Sequence, residues 1–368
     1  FLVHGPSIAS AAVAPPAYRA GPRWRHRRAS EPCDRQRASV PLMDAQPVSV
    51  VVPTYRRSRF LERALRSVVE QTHDAWELII VDDNGDADPH QQRTLERVRP
   101  FLEDRRVRYV AHERNRGGSA ARNTGIRTAS ADYVAFLDDD DEWHPEFLAR
   151  QLDAFRDHDA DVALVCAPYV QVGDPDGEIV VRPRLVDRLD RELLMRNVVG
   201  PTSCVTCRRD ALVEVGGFDE ELPAMQDLDL YARPAMRYRF VAIDVPLVRY
   251  HLHDAGSIGR DLTGSAAARR AFDAKYRHLI EVDPEVRRYR LEESADIHFR
   301  ANQPVEAAKG YRALLRSRPH RVDFLIFFLL ARLGLCEETT RARHHWGAFR
   351  TGLWRRLRRR RVEGGRAT

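Results

Sequence analysis

The densest chemistry in this sequence is a run of four aspartates, Asp138 to Asp141, directly after the apolar stretch Tyr133 to Leu137 (YVAFL). Like charges a few ångströms apart repel and raise one another's pKa, so such a run is costly in isolation. Hard carboxylate oxygens suit Mg2+ or Mn2+, cations that usually keep positions open for substrate phosphates. A solvated acidic turn is the competing reading. Asp83 weighs against it, because it follows a second apolar stretch, Leu78 to Val81 (LIIV), in the sequence Asp82-Asp83-Asn84-Gly85. Two apolar strands that both run out into acids make a candidate site for a divalent cation. Cys204 and Cys207 spell CxxC, but no second pair accompanies them. Two ordinary residues of a strand and a turn are expected there, not metal or redox chemistry.

These acids need elements to hold them. Val48 to Val52 (VSVVV) is a continuous β-branched run, the form of a strand buried on both faces of a parallel sheet. Phe60, Leu61, Ala64, Leu65, Val68 and Val69 then recur along one helical face. The LIIV strand follows about thirty residues after the first, the length of one βαβ unit. A polar helix over 90–103, a strand over 107–110, a small-residue helix over 119–129 and the YVAFL strand continue the alternation. The expected fold class is α/β, an open and mostly parallel sheet with helices on both faces and ligands beyond the carboxyl ends of its strands. The first strand runs into Pro53, Thr54 and Tyr55, with neither GxGxxG nor GxxxxGK[ST] behind it. Dinucleotide oxidoreductases and P-loop NTPases are excluded.

Charge divides the chain. The net +6 over 368 residues comes from the ends: 1–42 carry +5, 341–368 carry +9, and 43–340 carry −8. High pI therefore says nothing about the body. Of 60 basic residues only Lys275 and Lys309 are lysines, a bias read here as a GC-rich coding sequence. The five cysteines are odd in number and scattered, which suits a reducing compartment. Residues 1–42 show no periodicity and are expected to be a disordered, non-native leader ahead of Met43. Phe324 to Leu330 (FLIFFLL) is the most apolar run, too short to span a bilayer, which takes about 20 residues; it reads as a buried or interfacial helix. Trp346, Phe349, Leu353, Trp354 and Leu357 lie among ten arginines in 341–368, a pattern suited to an anionic membrane surface.

VSVVVPTYRR, LIIVDDNGD, NRGGSAARNTGI and DYVAFLDDDDEW, followed by GPTSCVTCRRDALVEVGGFDEEL, MQDLDLYAR and VRYHLHDAGSIG, resemble the family 2 glycosyltransferases with the GT-A fold over about 46–260. The resemblance implies inverting transfer of a sugar from a nucleotide-diphosphate sugar to an acceptor, with Mg2+ or Mn2+. It implies that Pro53, Thr54 and Tyr55 pack the base, that Asp83 hydrogen-bonds it, and that Arg122 approaches the nucleotide. Asp138 and Asp140 match the two acids of the DxD motif. Asp140 is the better metal ligand and Asp138 the better contact to ribose or metal, with Asp139 among the nucleotide-sugar contacts. Asp227 matches the catalytic base. Gln226 departs from the family's Glu, and this puts that residue's contact in doubt. His253 matches a metal or diphosphate contact, with His251 behind it, and Trp143 either flanks the sugar pocket or packs beneath the loop.

The expected organisation is a catalytic domain over 43–260, an α-helical extension over 261–340 and a basic Trp/Arg tail over 341–368. Ala295, Ala307, Ala308, Tyr311 and Pro319 in the extension are placed like one tetratricopeptide-type hairpin. The acceptor is expected to be a glycan or lipid-linked, and the enzyme cytoplasmic and peripheral on the cytoplasmic face of the membrane. A sugar-phosphate nucleotidyltransferase would need a Gly-rich loop where PTYRR stands. A nucleic-acid binder acting through the Arg tail would leave Asp83, Asp138, Asp140 and Asp227 without a role. A catalytically inactive relative is the remaining alternative, on account of Gln226.

Overall fold

The computed structural model describes residues 46–340 except 87, 159–160, 174–176 and 253–261. The expectations for the 1–42 leader, for His253 and for the 341–368 tail lie outside the described residues.

The alternation read from the sequence is present. Strands β1 (Val48–Thr54), β2 (Trp76–Asp82), β3 (Val107–Ala111) and β4 (Tyr133–Phe136) are parallel neighbours, separated in sequence by α1 (Ser58–Val69), α2 (Pro89–Val98) and α3 (Gly118–Thr128). All of β1 is buried, as an unbroken apolar run requires of a central strand. Helix α1 buries Leu61, Ala64, Leu65 and Val68 against the sheet. Helix α2 is shorter than the expected 90–103. It ends at Val98 and gives way to a single tighter turn over Arg99–Phe101, because Pro100 lacks the N–H that the helix would need and its ring crowds the preceding turn. Helix α3 lies hard against β1: a Cβ on Gly125 would sit 2.2 Å from Val51 Cγ1.

After β4 come β5 (Glu142–Trp143), α4 (Phe147–Arg156), β6 (Val162–Cys166), β7 (Tyr169–Val172), β8 (Ile179–Val181), α5 (Leu189–Leu193), β9 (Val205–Arg208), α6 (Arg209–Glu214), α7 (Gln226–Ala232), β10 (Arg239–Ala242) and β11 (Val248–His251). The main sheet has the order β10-β6-β9-β4-β1-β2-β3, with β9 antiparallel to both neighbours. The strand order reverses at β1, with β2 and β3 laid down on one side of it and β4 on the other, which makes the gap beyond the carboxyl ends of the parallel strands β1 and β4 the topological switch point. A second sheet, β5-β11-β7-β8, was not anticipated. Its strands of two to four residues carry too little periodicity to be read.

Five helices follow: α8 (Leu262–Lys275), α9 (Arg277–Val282), α10 (Pro284–Arg300), α11 (Pro304–Ser317) and α12 (Val322–Arg332). Phe272, Tyr276 and Ile280 join the same core as Leu193, Leu228 and Tyr231. Beyond them, Ala295, Ala307, Ala308 and Tyr311 pack in a separate cluster with Phe324 and Ala331. Helices α10 and α11 approach so closely that a Cβ on Gly310 would lie 2.7 Å from that of Ala295. No helix among the described residues is long and apolar enough to cross a membrane.

Candidate active site

Three loops converge at the switch point. Beyond β1, Thr54 is buried and donates from Oγ1 to Asp139 Oδ2 at 2.7 Å, joining the first strand's mouth to that of β4. Tyr55 is exposed beside it, and Arg56 takes a left-handed φ of 56°, a costly backbone for a long side chain. Its N–H donates to Asn84 Oδ1 at 2.8 Å, while Asn84 is itself held by Asp82 Oδ1 through its N–H and Nδ2. Pro53 remains within β1, paired with Val81. Asp83 is buried and saturated. Its Oδ1 meets His112 Nδ1 at 2.7 Å and the Arg116 N–H at 2.8 Å, and its Oδ2 accepts from Asn115 Nδ2 at 2.9 Å and the Gly117 N–H at 2.8 Å. Asp83 thus shapes the loop leading into α3. A base N–H would have to compete with four donors already in place.

The aspartates after β4 are compensated unequally. Asp138 receives Arg122 Nη2, and Asp140 Oδ2 receives Arg57 Nη1 at 2.6 Å. Asp139 has Thr54 and a long 3.6 Å ion pair to Arg57; burial, with Asp140 adding repulsion, pushes its carboxyl up to about 7. Asp141 is fully buried, and among the described residues its side chain is reached by neutral groups: Ser203 Oγ at 2.6 Å and the His251 N–H at 3.1 Å. Burial, then Asp140 and Asp138, drive its carboxyl well above the ordinary range. His251 brings its ring near Glu142, with Nε2 3.8 Å from Oε1. Trp143 resolves to the packing role: its ring is buried, stacks on Phe147 at 4.1 Å and donates Nε1–H to Ser203 O at 2.7 Å.

Asp227 opens α7. Met225 ahead of it has φ 64°, and this left-handed turn starts the helix abruptly. Asp227 Oδ2 accepts from Asn197 Nδ2 at 2.7 Å, and Oδ1 from the Leu228 N–H at 2.7 Å. Burial raises its pKa, while Leu228, Asn197 and the Arg122 charge pull it back. Arg122 therefore acts electrostatically on Asp227 and pairs with Asp138, bringing two predicted acids into one field. Gln226 turns away and donates Nε2–H to Leu222 O at 3.3 Å.

The sequence model of Glycosyl transferase family 2 matches residues 49–216. The amylovoran biosynthesis glycosyltransferase AmsB of Erwinia amylovora is 30% identical over 212 residues, covering 55% of this chain and 69% of AmsB. The chain belongs to glycosyl transferase family 2. The putative colanic acid biosynthesis glycosyl transferase WcaA of Escherichia coli K12 is 29% identical over 199 residues, covering 52% of this chain and 67% of its own. In fold, this glycosyltransferase resembles S. aureus TarS 1-349, solved with UDP-GlcNAc, at TM-score 0.54 and 18% identity over 82% of this chain and 92% of that one. The mannosyltransferase PcManGT from Pyrobaculum calidifontis, solved with GDP-Man and Mn2+, gives TM-score 0.50 and 20% identity over 80% and 88%. The GT-A architecture with C-terminal helices is thereby established.

The residues of this glycosyltransferase fit a divalent cation in donor chemistry. Asp138, Asp139, Asp140 and Asp141 supply oxygen ligands only; among the described residues Arg57 and Arg122 hydrogen-bond to two of the four carboxylates, and Arg63 donates to the Asp140 carbonyl. Among the described residues no three acids, histidines or cysteines are arranged as a ready cage. Sequence reasoning missed Arg57 and Asn197. Arg57 is one of 58 arginines, and Asn197 stands 30 residues from the acid it orients, so neither carried a signal. The CxxC residues are free and buried, and burial raises their thiols, which leaves them unreactive.

Proposed function

We propose that this enzyme transfers a sugar, with inversion at the anomeric carbon, from a nucleoside-diphosphate sugar to an acceptor in cell-surface polysaccharide assembly. The observation that carries this reading is the opposition of two acid groups around one arginine: Asp138 to Asp140 at the switch point, and Asp227 at the start of α7, with Arg122 acting on both. Pro53, Thr54 and Tyr55 flank the base. Asp83 orders the loop beneath it, and Asp139 is the nucleotide-sugar contact nearest Thr54. Asp140, Asp138 and His253 hold Mg2+ or Mn2+, which supplies Lewis-acid neutralisation of the leaving diphosphate. Asp227 accepts the proton of the acceptor hydroxyl as the new bond forms. Asn197 fixes the orientation of that carboxylate, and its raised pKa makes it a stronger base than a surface aspartate. Arg122 stabilises charge on the departing diphosphate.

The polysaccharide context is supported by the names of WcaA and AmsB, and the nucleotide-sugar donor by the ligands of TarS and PcManGT. The acceptor is lipid-linked and reached at the cytoplasmic face of the membrane. A panel of nucleotide sugars, assayed for metal-dependent hydrolysis and for thermal stabilisation, tests the reading. One donor should both raise the melting temperature and be hydrolysed only with Mg2+ or Mn2+. If no nucleotide sugar does either, the assignment fails.

A further inference from the structure

Helix α12 is apolar between Asp323 and Arg332 near its two ends, yet only half of it is covered. Phe324 and Ala331 are buried, with Phe327 and Phe328 partly buried in the cluster formed with α10 and α11. Val322, Leu325, Ile326, Leu329 and Leu333 recur at intervals of three, one, three and four residues and stand between 44% and 70% exposed. At about 100° per residue these five fall on one face, opposite Phe324 and Ala331. A helix with no polar face is normally buried in a core or in lipid.

Charge around this face indicates what covers it. Residues 312–335 contain Arg312, Arg316, Arg318, Arg321 and Arg332 against Asp323 alone; Arg321 faces Asp323 at 2.6 Å and Glu292 at 3.9 Å, which leaves Arg312, Arg316 and Arg318 before the stripe and Arg332 at its end. Arginines therefore lie at both ends of the apolar stripe. Glu337 and Glu338 come next, and after Thr340 the chain continues for 28 residues with ten more arginines. A second copy of the chain would set the same cations against each other. A helix of eleven residues is also only about 16 Å long and about 10 Å wide, a strip on the order of 200 Å2 against the roughly 800 Å2 per partner that a stable complex buries.

We propose that the exposed face of α12 docks the enzyme on an anionic phospholipid bilayer, with its leucines in the interface and the flanking arginines among the head groups. The stripe is too short to span, so contact is reversible. The inference does not depend on the transfer chemistry.

The test is co-sedimentation of the full chain with phosphatidylcholine vesicles, with and without phosphatidylglycerol. The parent should bind the anionic vesicles and lose binding when phosphatidylglycerol is omitted. Leu325→Glu with Leu329→Glu should lower the bound fraction at least about tenfold and leave donor hydrolysis unchanged. Leu329→Trp should raise it, an outcome that misfolding cannot imitate. Vesicle binding equal to the parent's in the double variant would overturn the proposal and assign binding to residues 341–368. A parent dimer that the double variant converts to monomer, with no change in vesicle binding, would overturn it in favour of contact between copies. Failure of the parent to bind anionic vesicles would also overturn it.

Discussion

Asp141 and Asp229 are both fully buried, and their surroundings are opposite. Asp229, on α7 two residues after Asp227, is met by Arg233 Nη2 at 2.7 Å, Lys275 Nζ at 2.7 Å and Tyr276 Oη at 2.9 Å. Asp141, in the run after β4, is met by a hydroxyl and a backbone N–H, with carboxylates on the same run raising its pKa further. Burial of an acid is thus not itself a functional signal. A buried acid with its cations supplied is scaffold, and a buried acid left short of cations marks a place prepared for a charge from outside. Here the scaffold acid also joins two parts of the chain. Lys275 bridges Asp229 and Asp219 from α8, so the first of the C-terminal helices grips the element that carries Asp227.

The largest effect that would break this contrast is on chemistry. Asp227→Asn should lower kcat by about 10²–10⁴-fold, the usual range for losing a general base, with an unchanged melting temperature. Asp140→Asn should abolish metal-dependent turnover in the same assay. Near-parental turnover in either variant would mean that the acids at the mouth of β4 and at the start of α7 are not the reacting ones.

The sequence carried the mouth of β4 and the parallel core with good accuracy, since buried strands announce themselves by unbroken runs such as VSVVV and LIIV. Asp138 to Asp141 were legible because four adjacent like charges need a reason. Asp229 was not singled out, although Arg233 stands four residues on in the same MQDLDLYAR block and pairs with it; the second cation, Lys275, comes 46 positions later and leaves no local mark. The rarity of lysine was a second trace. Where 58 of 60 basic residues are Arg, Lys275 stands out, and a compact ammonium fits between two carboxylates where a planar guanidinium would not. Lys309 has the same rarity but only a surface pair with Glu306, so rarity alone does not identify a strut.

Next in size is the scaffold itself. Asp229→Asn keeps the shape but strips the charge that Arg233 and Lys275 face, and breaking a buried pair from one side costs about 3–5 kcal/mol. Urea unfolding should show the loss directly; a change under about 1 kcal/mol would place Asp229 with the dispensable ion pairs. A smaller effect separates orientation from presence. Burial holds the Asp227 pKa above that of an ordinary aspartate, and the Asn197 hydrogen bond opposes the rise. Catalysis needs the deprotonated form, so the acidic limb of the kcat/KM profile should lie above the ordinary aspartate range. In Asn197→Ala it should move to still higher pH, and a limb that stays in place would remove Asn197 from the site.

The smallest change completes the contrast. In Asp141→Asn the amide can keep both contacts: Oδ1 accepts the His251 N–H, and Nδ2 donates to Ser203 Oγ, which as a hydroxyl can accept as well as donate. Both contacts keep a partner, although the Ser203 hydroxyl, which also accepts from the Asp138 N–H, must turn its hydrogen from its present acceptor. An acid that no cation among the described residues balances is removed. The urea midpoint should therefore stay within about 0.5 kcal/mol of the parent or rise, although the same replacement at Asp229 costs several times more. Stabilisation by Mg2+ or Mn2+ should weaken in the same variant, because one carboxylate's worth of unbalanced charge has gone. If Asp141→Asn destabilises the protein as much as Asp229→Asn does, the two acids are held alike, and a shortage of cations ceases to distinguish the reacting end of the sheet from its scaffold.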